Sequence, residues 1–247
     1  MPPRRVLVVT TDPLTENMPG PAIRAWHLAE VLSTSNDVIL VSTVAADRTH
    51  LQMSVGVAPA GPDRDELETW AEVVVIPAGV FYEWPSLARP ELVVVVDAYD
   101  PYHLENLEPG ATSDIVERDE QVGRLTTAIS AHLARADLVL CATSRQRDFW
   151  LGTLAAIGRV NPYTYDQDPT FRSLVTLVPF GMPAEPPERR GRGLRESLGV
   201  VNSDRVILWG GGVYDWFDPL TLIKAVDRLA RRMSGVRLVF MGMSHPN

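Results

Sequence analysis

Short, nearly continuous apolar runs recur along the whole chain. They are Val6 to Val9, Val38 to Val41, Val73 to Ile76, Leu92 to Val96, Leu138 to Cys141, Val175 to Val178, Val206 to Trp209 and Leu238 to Met241. The runs are rich in β-branched residues and do not alternate with polar ones, as expected of strands buried on both faces of a parallel sheet. Their shortness, and the Gly, Pro, Asp or Thr that follows most of them, argue against buried helix. Segments with helical spacing lie between them. Pro21 to Leu32 places Ile23, Trp26, Leu28 and Val31 on an apolar face, and Gly20-Pro21 is suited to open a helix. Ile115 to Ala134 repeats the pattern with Val122, Leu125, Ile129 and Leu133. Ser144 to Ile157 follows, with Ser144 as its expected N-cap, and then Asp218 to Met233, with Asp63 to Trp70 as a shorter candidate.

Strand and helix in alternation predict an α/β, doubly wound Rossmann-like parallel sheet with right-handed crossovers. Composition changes between Pro179 and Gly193, where prolines, glycines and the basic cluster Arg189, Arg190 and Arg192 gather. This reads as a linker. The expected division is an N-terminal domain over 1–182, a linker over 183–193 and the beginning of a second Rossmann-like domain over 194–247. That second part offers strand, helix and strand, too little for a sheet of its own, so it is expected to be an incomplete domain.

The 247 residues are 45% hydrophobic and 22% charged, enough for a sizeable core. A net charge of -8 and a sequence pI near 5.1 disfavour a general nucleic-acid binder, which needs a basic surface. Cys141 is the only cysteine, which removes intramolecular disulfides and multi-cysteine zinc sites. No signal-peptide core or spanning segment is visible, so the expected compartment is the cytoplasm, with peripheral contact at the inner membrane face left open.

Candidate chemistry belongs at the carboxyl ends of the strands, where doubly wound sheets bind ligands. The first strand runs into Thr10-Thr11-Asp12, and Gly20 opens the following helix with backbone N–H groups suited to an anion or a sugar hydroxyl. A simple helix cap is the competing reading there. The strand ending at Val96 is followed by Asp97, Tyr99, Asp100, Tyr102 and His103. Either carboxylate can bind a hydroxyl or accept its proton as a general base; a cap at Asp97 and a turn at Asp100-Pro101 are the alternatives. Gly210-Gly211-Gly212 follows a later strand and precedes a helix, an arrangement that lets backbone approach a phosphate. No GxGxxG or Walker A pattern is present, which disfavours a dinucleotide dehydrogenase or a P-loop NTPase.

With these residues in view, the chain resembles GT-B glycosyltransferases of the retaining family 4, or group 1, type. The likeness rests on Gly20 to Leu32, similar to a glycine-led helix ending L-A-x-x-L, and on Ala136 to Ser144, similar to A-D-x-V-x-x-x-S. It extends to Leu177 to Met182, similar to x-I-P-N-G-V, and to the strand, glycine loop, helix and strand from Arg205 to Gly242. The resemblance implies two Rossmann-like domains facing a cleft, the first for the acceptor and the second for a nucleotide-diphosphate sugar. It implies hexosyl transfer with retention, without a metal or other cofactor, in carbohydrate biosynthesis. Carried onto this sequence, it gives Asp97 and Asp100 as catalytic candidates, Gly20, Arg24, Asp12 and His103 as acceptor-binding candidates, and Gly210, Gly211 and Gly212 as the donor phosphate loop. The resemblance leaves the acceptor open among carbohydrate, lipid-linked and natural-product classes.

The sequence departs from that pattern in two respects. The family's E-x7-E glutamates would fall beyond Asn247, so the chain is expected to be a truncated and, alone, inactive transferase. The Arg and Lys that commonly grip the donor diphosphate are missing after the glycine loop, where no cation occurs before Lys224. Arg24 can replace part of that charge, against the plainer reading of a solvated helix-face arginine. A second hypothesis is a non-catalytic binding half of a split transferase that assembles with a separate donor-domain chain. A nucleotide-sugar epimerase of the Tyr-x-x-x-Lys kind is disfavoured, since Leu220 stands four positions before Lys224.

Overall fold

A computed structural model describes residues 2–108, 114–182, 186–188, 191–213 and 217–242. It divides into two compact units, Met1–Phe180 and Gly181–Asn247.

The first unit runs β1 (Arg5–Thr10), α1 (Gly20–Ser33), β2 (Asp37–Ser42), β3 (Ser54–Val57), α2 (Pro62–Trp70), β4 (Val73–Pro77), α3 (Val80–Glu83), a 3-10 turn at Pro85–Ala88, and β5 (Val93–Asp97). It continues with α4 (Tyr102–Glu105), α5 (Ile115–Arg135), β6 (Leu138–Cys141), α6 (Ser144–Ala156), α7 (Pro162–Gln167) and β7 (Val175–Leu177). The strands form one parallel sheet in the order β3-β2-β1-β4-β5-β6-β7. The expected doubly wound α/β architecture is therefore present.

Alternation along β1 shows why its run is continuously apolar. Val6 and Val8 join a core cluster with Ala22, Trp26 and Ala29 of α1, while Leu7 and Val9 join the opposite cluster. That second cluster contains Ile129 and Leu133 of α5 and Trp150 and Leu154 of α6. Both faces of the strand are buried, so no position is left for a polar side chain.

Local chemistry moves one expected boundary. Ser144 is the first residue of α6 rather than its cap; the cap is Thr143, whose hydroxyl accepts from Gln146 N at 3.2 Å while Gln146 Oε1 accepts from Thr143 N. Thr-x-x-Gln places the reciprocal partner at the required third helical position, which a cap at Ser144 would not. Strand β3 was not among the apolar runs, because its Ser-Val-Gly-Val is short and sits at the sheet edge.

The second unit has α8 (Leu194–Ser197), β8 (Arg205–Trp209), α9 (Pro219–Ala230) and β9 (Val236–Phe240), with β8 and β9 paired in parallel. Asp218 caps α9, its Oδ1 accepting from Thr221 N at 3.0 Å. Leu208, Leu220 and Ile223 are exposed, at 48%, 62% and 44%. Among the described residues, no helix is long and apolar enough to cross a membrane.

Candidate functional site

The strand order reverses between β1 and β4. From β1 the chain moves through α1 to β2 on one side, and from β4 it moves to β5 on the other. The two connections leave the sheet in opposite directions and open a crevice at the carboxyl ends, the usual ligand position in such sheets. Thr10 and Asp12 line it from the end of β1, Ile76 and Pro77 from β4, Pro21 and Ala25 from α1, and Asp97 and Tyr99 from β5 and its extension. Its enclosed volume is about 30 Å³, room for about one water molecule. That is too small for a sugar ring; among the lining residues Asp12 and Tyr99 are half-buried rather than buried.

At the crevice lies a buried ion pair. Arg24, 5% exposed on α1, donates from Nε to Asp97 Oδ2 at 2.6 Å and from Nη2 to Asp97 Oδ1 at 2.8 Å. Nη2 also donates to the carbonyl of Val178 at 2.9 Å. The guanidinium lies 5.0 and 4.8 Å from the ring centroids of Tyr99 and Phe180, which themselves meet edge to face at 5.2 Å. This arrangement uses the planar fork and the weak hydration that distinguish arginine from lysine. Burial pushes the Asp97 carboxyl up, and the Arg24 hydrogen bonds and charge pull it down.

Two expectations change here. Arg24 is not a solvated helix-face residue, nor a cation available to a ligand, because its charge is matched by Asp97 beneath the surface. Asp97 is not a free base, because both its oxygens are held in the fork. The pair instead joins α1 to β5 and to the segment after β7.

Asp12 and Asp100 stand differently. Asp12 is half-buried; its amide donates to Thr10 Oγ1 at 3.2 Å and its carbonyl accepts from Ser42 Oγ at 2.8 Å. Among the described residues its carboxylate has no hydrogen-bond or ion-pair partner, and burial raises its pKa. Asp100 is pushed up to about 6, first by burial and then by the charge and hydrogen bond of Glu105. A neighbouring negative charge adds to burial in disfavouring the ionised form of Asp100. Tyr99 sits among these groups, its phenol held above the ordinary value by burial and by Asp100, Asp97 and Asp12 in turn, against Arg24.

His103 is half-buried on α4, with its ring centroid 5.9 Å from Phe149 and 6.0 Å from Trp150. Burial lowers its pKa. Its Nδ1 and the neighbouring Tyr102 Oη are buried without a hydrogen-bond partner among the described residues. Gly20 is the first residue of α1, behind Pro19, which offers no side-chain cap, and the first turn carries no acidic residue. Pro21 has no N–H and Ile23 N already donates to the carbonyl of Pro19 at 3.0 Å, which leaves few free donors in this first turn.

Gly210, Gly211 and Gly212 follow β8 in the second unit. None has positive φ, so their backbone does not demand glycine. Trp209 Nε1 donates to Gly212 O at 2.9 Å, and a Cβ on Gly211 would lie 3.7 Å from the Phe217 ring. Nothing lies within 4 Å of a Cβ placed on Gly210. Residues 214–216, and Arg189 and Arg190 of the linker cluster, lie outside the described residues. Among the described residues, no group of three or more His, Cys, Asp or Glu is placed to hold a metal ion.

Tyr99, Asp12 and Asp100 are thus brought together, with Arg24 and Asp97 directly behind them. His103 belongs to an aromatic cluster with Phe149 and Trp150. Phe180 and Glu105 went unsingled in the sequence. Phe180 contacts Arg24 across more than 150 positions of chain, a relation that no spacing reveals; Glu105, five residues beyond Asp100, is readable only once α4 is known to turn it back.

No protein-family model matches the sequence, and no curated protein is similar to it at the sequence level. Solved structures with a similar chain course include Glycyrrhiza uralensis UGT73P12 complexed with glycyrrhetinic acid 3-O-monoglucuronide. It is 9% identical with a TM-score of 0.47, over 98% of this chain and 69% of the other. Another is a protein assigned as a UDP-N-acetylglucosamine 2-epimerase from Listeria monocytogenes. It is 12% identical with a TM-score of 0.49, over 99% of this chain and 63% of the other.

Proposed function

We propose that the chain is the acceptor-side unit, with part of the donor-side unit, of a GT-B glycosyltransferase that uses a nucleotide-diphosphate sugar. The observation that carries this reading is the crevice at the β1–β4 switch point and the chemistry of its mouth. Asp12 and Tyr99 line it, Asp100 lies close enough to Tyr99 for its charge to act on the phenol, and no residue lining the crevice is cationic. Such a mouth repels phosphate and favours a neutral ligand rich in hydroxyls. That is the chemistry of a sugar acceptor, not of a nucleotide.

Within this reading Asp12 binds an acceptor hydroxyl, and Asp100, held near neutrality, is the carboxylate suited to exchange a proton with one. Asp97 and Arg24 are positioning residues. His103 and its aromatic neighbours offer an apolar face for the acceptor, and the N-terminus of α1 at Gly20 a donor for its oxygens. The donor diphosphate falls to the Gly210-Gly211-Gly212 loop and the start of α9. The motif resemblance supports a retaining, metal-independent hexosyl transfer, and the acidic mouth accords with its division of labour between units. A cytoplasmic enzyme of carbohydrate biosynthesis follows from the same resemblance.

Saturation-transfer spectroscopy of the intact chain tests this. Neutral glycosides should bind weakly, and Asp12→Asn with Asp100→Asn should abolish the effect. Binding of nucleoside diphosphates that is lost in the same double variant would overturn the assignment. A second reading, an acceptor-binding half that assembles with a separate donor-side chain, is favoured by the exposed Leu208, Leu220 and Ile223 around a two-stranded parallel sheet. Such a sheet gains stability from further strands and from cover on both faces.

A further inference from the structure

His132 is the most deeply buried ionisable ring outside the candidate site, 1% exposed on α5. Its Nδ1 lies 2.7 Å from the carbonyl of Ala128, which only accepts, so Nδ1 carries the proton. Nε2 is then the bare nitrogen. It accepts from two backbone amides of the turn after β4, Gly79 N at 3.2 Å and Phe81 N at 2.9 Å. The Phe81 ring stacks on the imidazole at 4.1 Å and 14°. Gly79 adopts φ of 118°, a conformation that L side chains rarely take. The turn leaves the sheet directly after Pro77, a crevice-lining residue, and Tyr102 Oη of α4 lies 3.8 Å from where a Gly79 Cβ would stand.

We infer that His132 is a neutral clamp that fixes the β4–α3 turn at the rim of the crevice and releases it when protonated. A proton on Nε2 would face two N–H donors, and both hydrogen bonds would be lost together. The charged groups of the packed elements do not offset this. Glu83 of α3 is exposed, and Arg124 of α5 pairs with Glu120. Arg135 is held by the carbonyls of Ala88, Arg89 and Leu92 and by Asp137. On α4, Glu105 is engaged with Asp100, and Tyr102 and His103 are uncharged in the neutral range. On α6, Arg147 binds the carbonyls of Val175 and Thr170, and Arg145 and Asp148 are exposed or half-exposed. Burial lowers the His132 pKa, while the Ala128 bond opposes the shift. The clamp therefore holds at neutral pH and opens on the acid side of the ordinary histidine range.

The inference concerns the turn and holds whatever ligand the crevice takes. Nitrogen NMR of the intact chain should show the Nδ1–H tautomer of His132 at pH 7. Exchange protection of the Gly79 and Phe81 amides, corrected for intrinsic rate, should fall about tenfold or more between pH 7 and pH 5 relative to Val8 and Val96. His132→Gln, whose amide oxygen can accept both N–H groups while its NH2 reaches Ala128, should keep protection flat with pH. An Nε2–H tautomer, or wild-type protection that stays constant to pH 5, would overturn the inference even if no variant folds.

Discussion

Arg24 and Asp97 show how a polar pair can dominate its surroundings. Each is expensive to bury alone, and each is tolerated because the other takes up its charge and hydrogen bonds. Arg24→Ala should therefore destabilise the first unit by about 3–5 kcal/mol in urea unfolding, since it leaves an unpaired carboxylate beneath the surface. Replacing both residues by leucine should cost less than Arg24→Ala alone. A larger loss for the double variant would show that the pair contributes more than mutual compensation. Asp100 obeys the opposite sign. Its folded pKa, about 6, lies above the unfolded value of 3.8, so its ionisation costs stability progressively as pH rises through that interval. Asp100→Asn should thus raise stability above pH 6, by on the order of 1 kcal/mol after allowing for solvent at a half-buried site. Below pH 4 the gain should vanish. A gain independent of pH would assign it to packing rather than charge.

Elements with strong periodicity were legible in the sequence, and those defined by their partners were not. The buried strands declared themselves because Val, Leu and Ile fill both faces of β1, β4 and β5. Helix α5 did so through Ile129 and Leu133 on its buried side. Strand β3, α3 and α7 are short, and tertiary pairing and caps such as Asn161 at α7 define them rather than apolar spacing. The site was legible in part. Asp97, Asp100 and Asp12 could be placed at strand ends, but Arg24 and Asp97 stand 73 positions apart. Nothing local distinguishes a helix-face arginine from one folded inward. Likewise, His132 sits in an ordinary amphipathic pattern, and only the left-handed Gly79 turn across from it gives the ring a task.

For the whole molecule, the two units differ in how complete their cores are. Among the described residues, the buried hydrophobic ones, from Val6 to Val175, all belong to Met1–Phe180. Stability should therefore reside there. A chain ending at Phe180 should unfold cooperatively, with a main thermal transition within a few degrees of that of the intact protein. Loss of cooperativity would mean that the second unit supplies part of the core. The net charge of -8 sharpens the same division. An anionic nucleotide sugar gains nothing from the overall field, and the first unit adds Asp12 at the crevice, with Asp100 near Tyr99, against it. Under the proposed function, the donor end rests on backbone N–H groups such as those of Gly210 to Gly212. Amide shift mapping of the intact chain against neutral glycosides and nucleoside diphosphates tests this division most directly. The account predicts that glycosides move Thr10, Asp12, Tyr99 and Asp100, and that nucleotides leave those amides still while moving Gly210 to Gly212. Nucleotides that move the Asp12 and Tyr99 amides, with glycosides moving none, would contradict it.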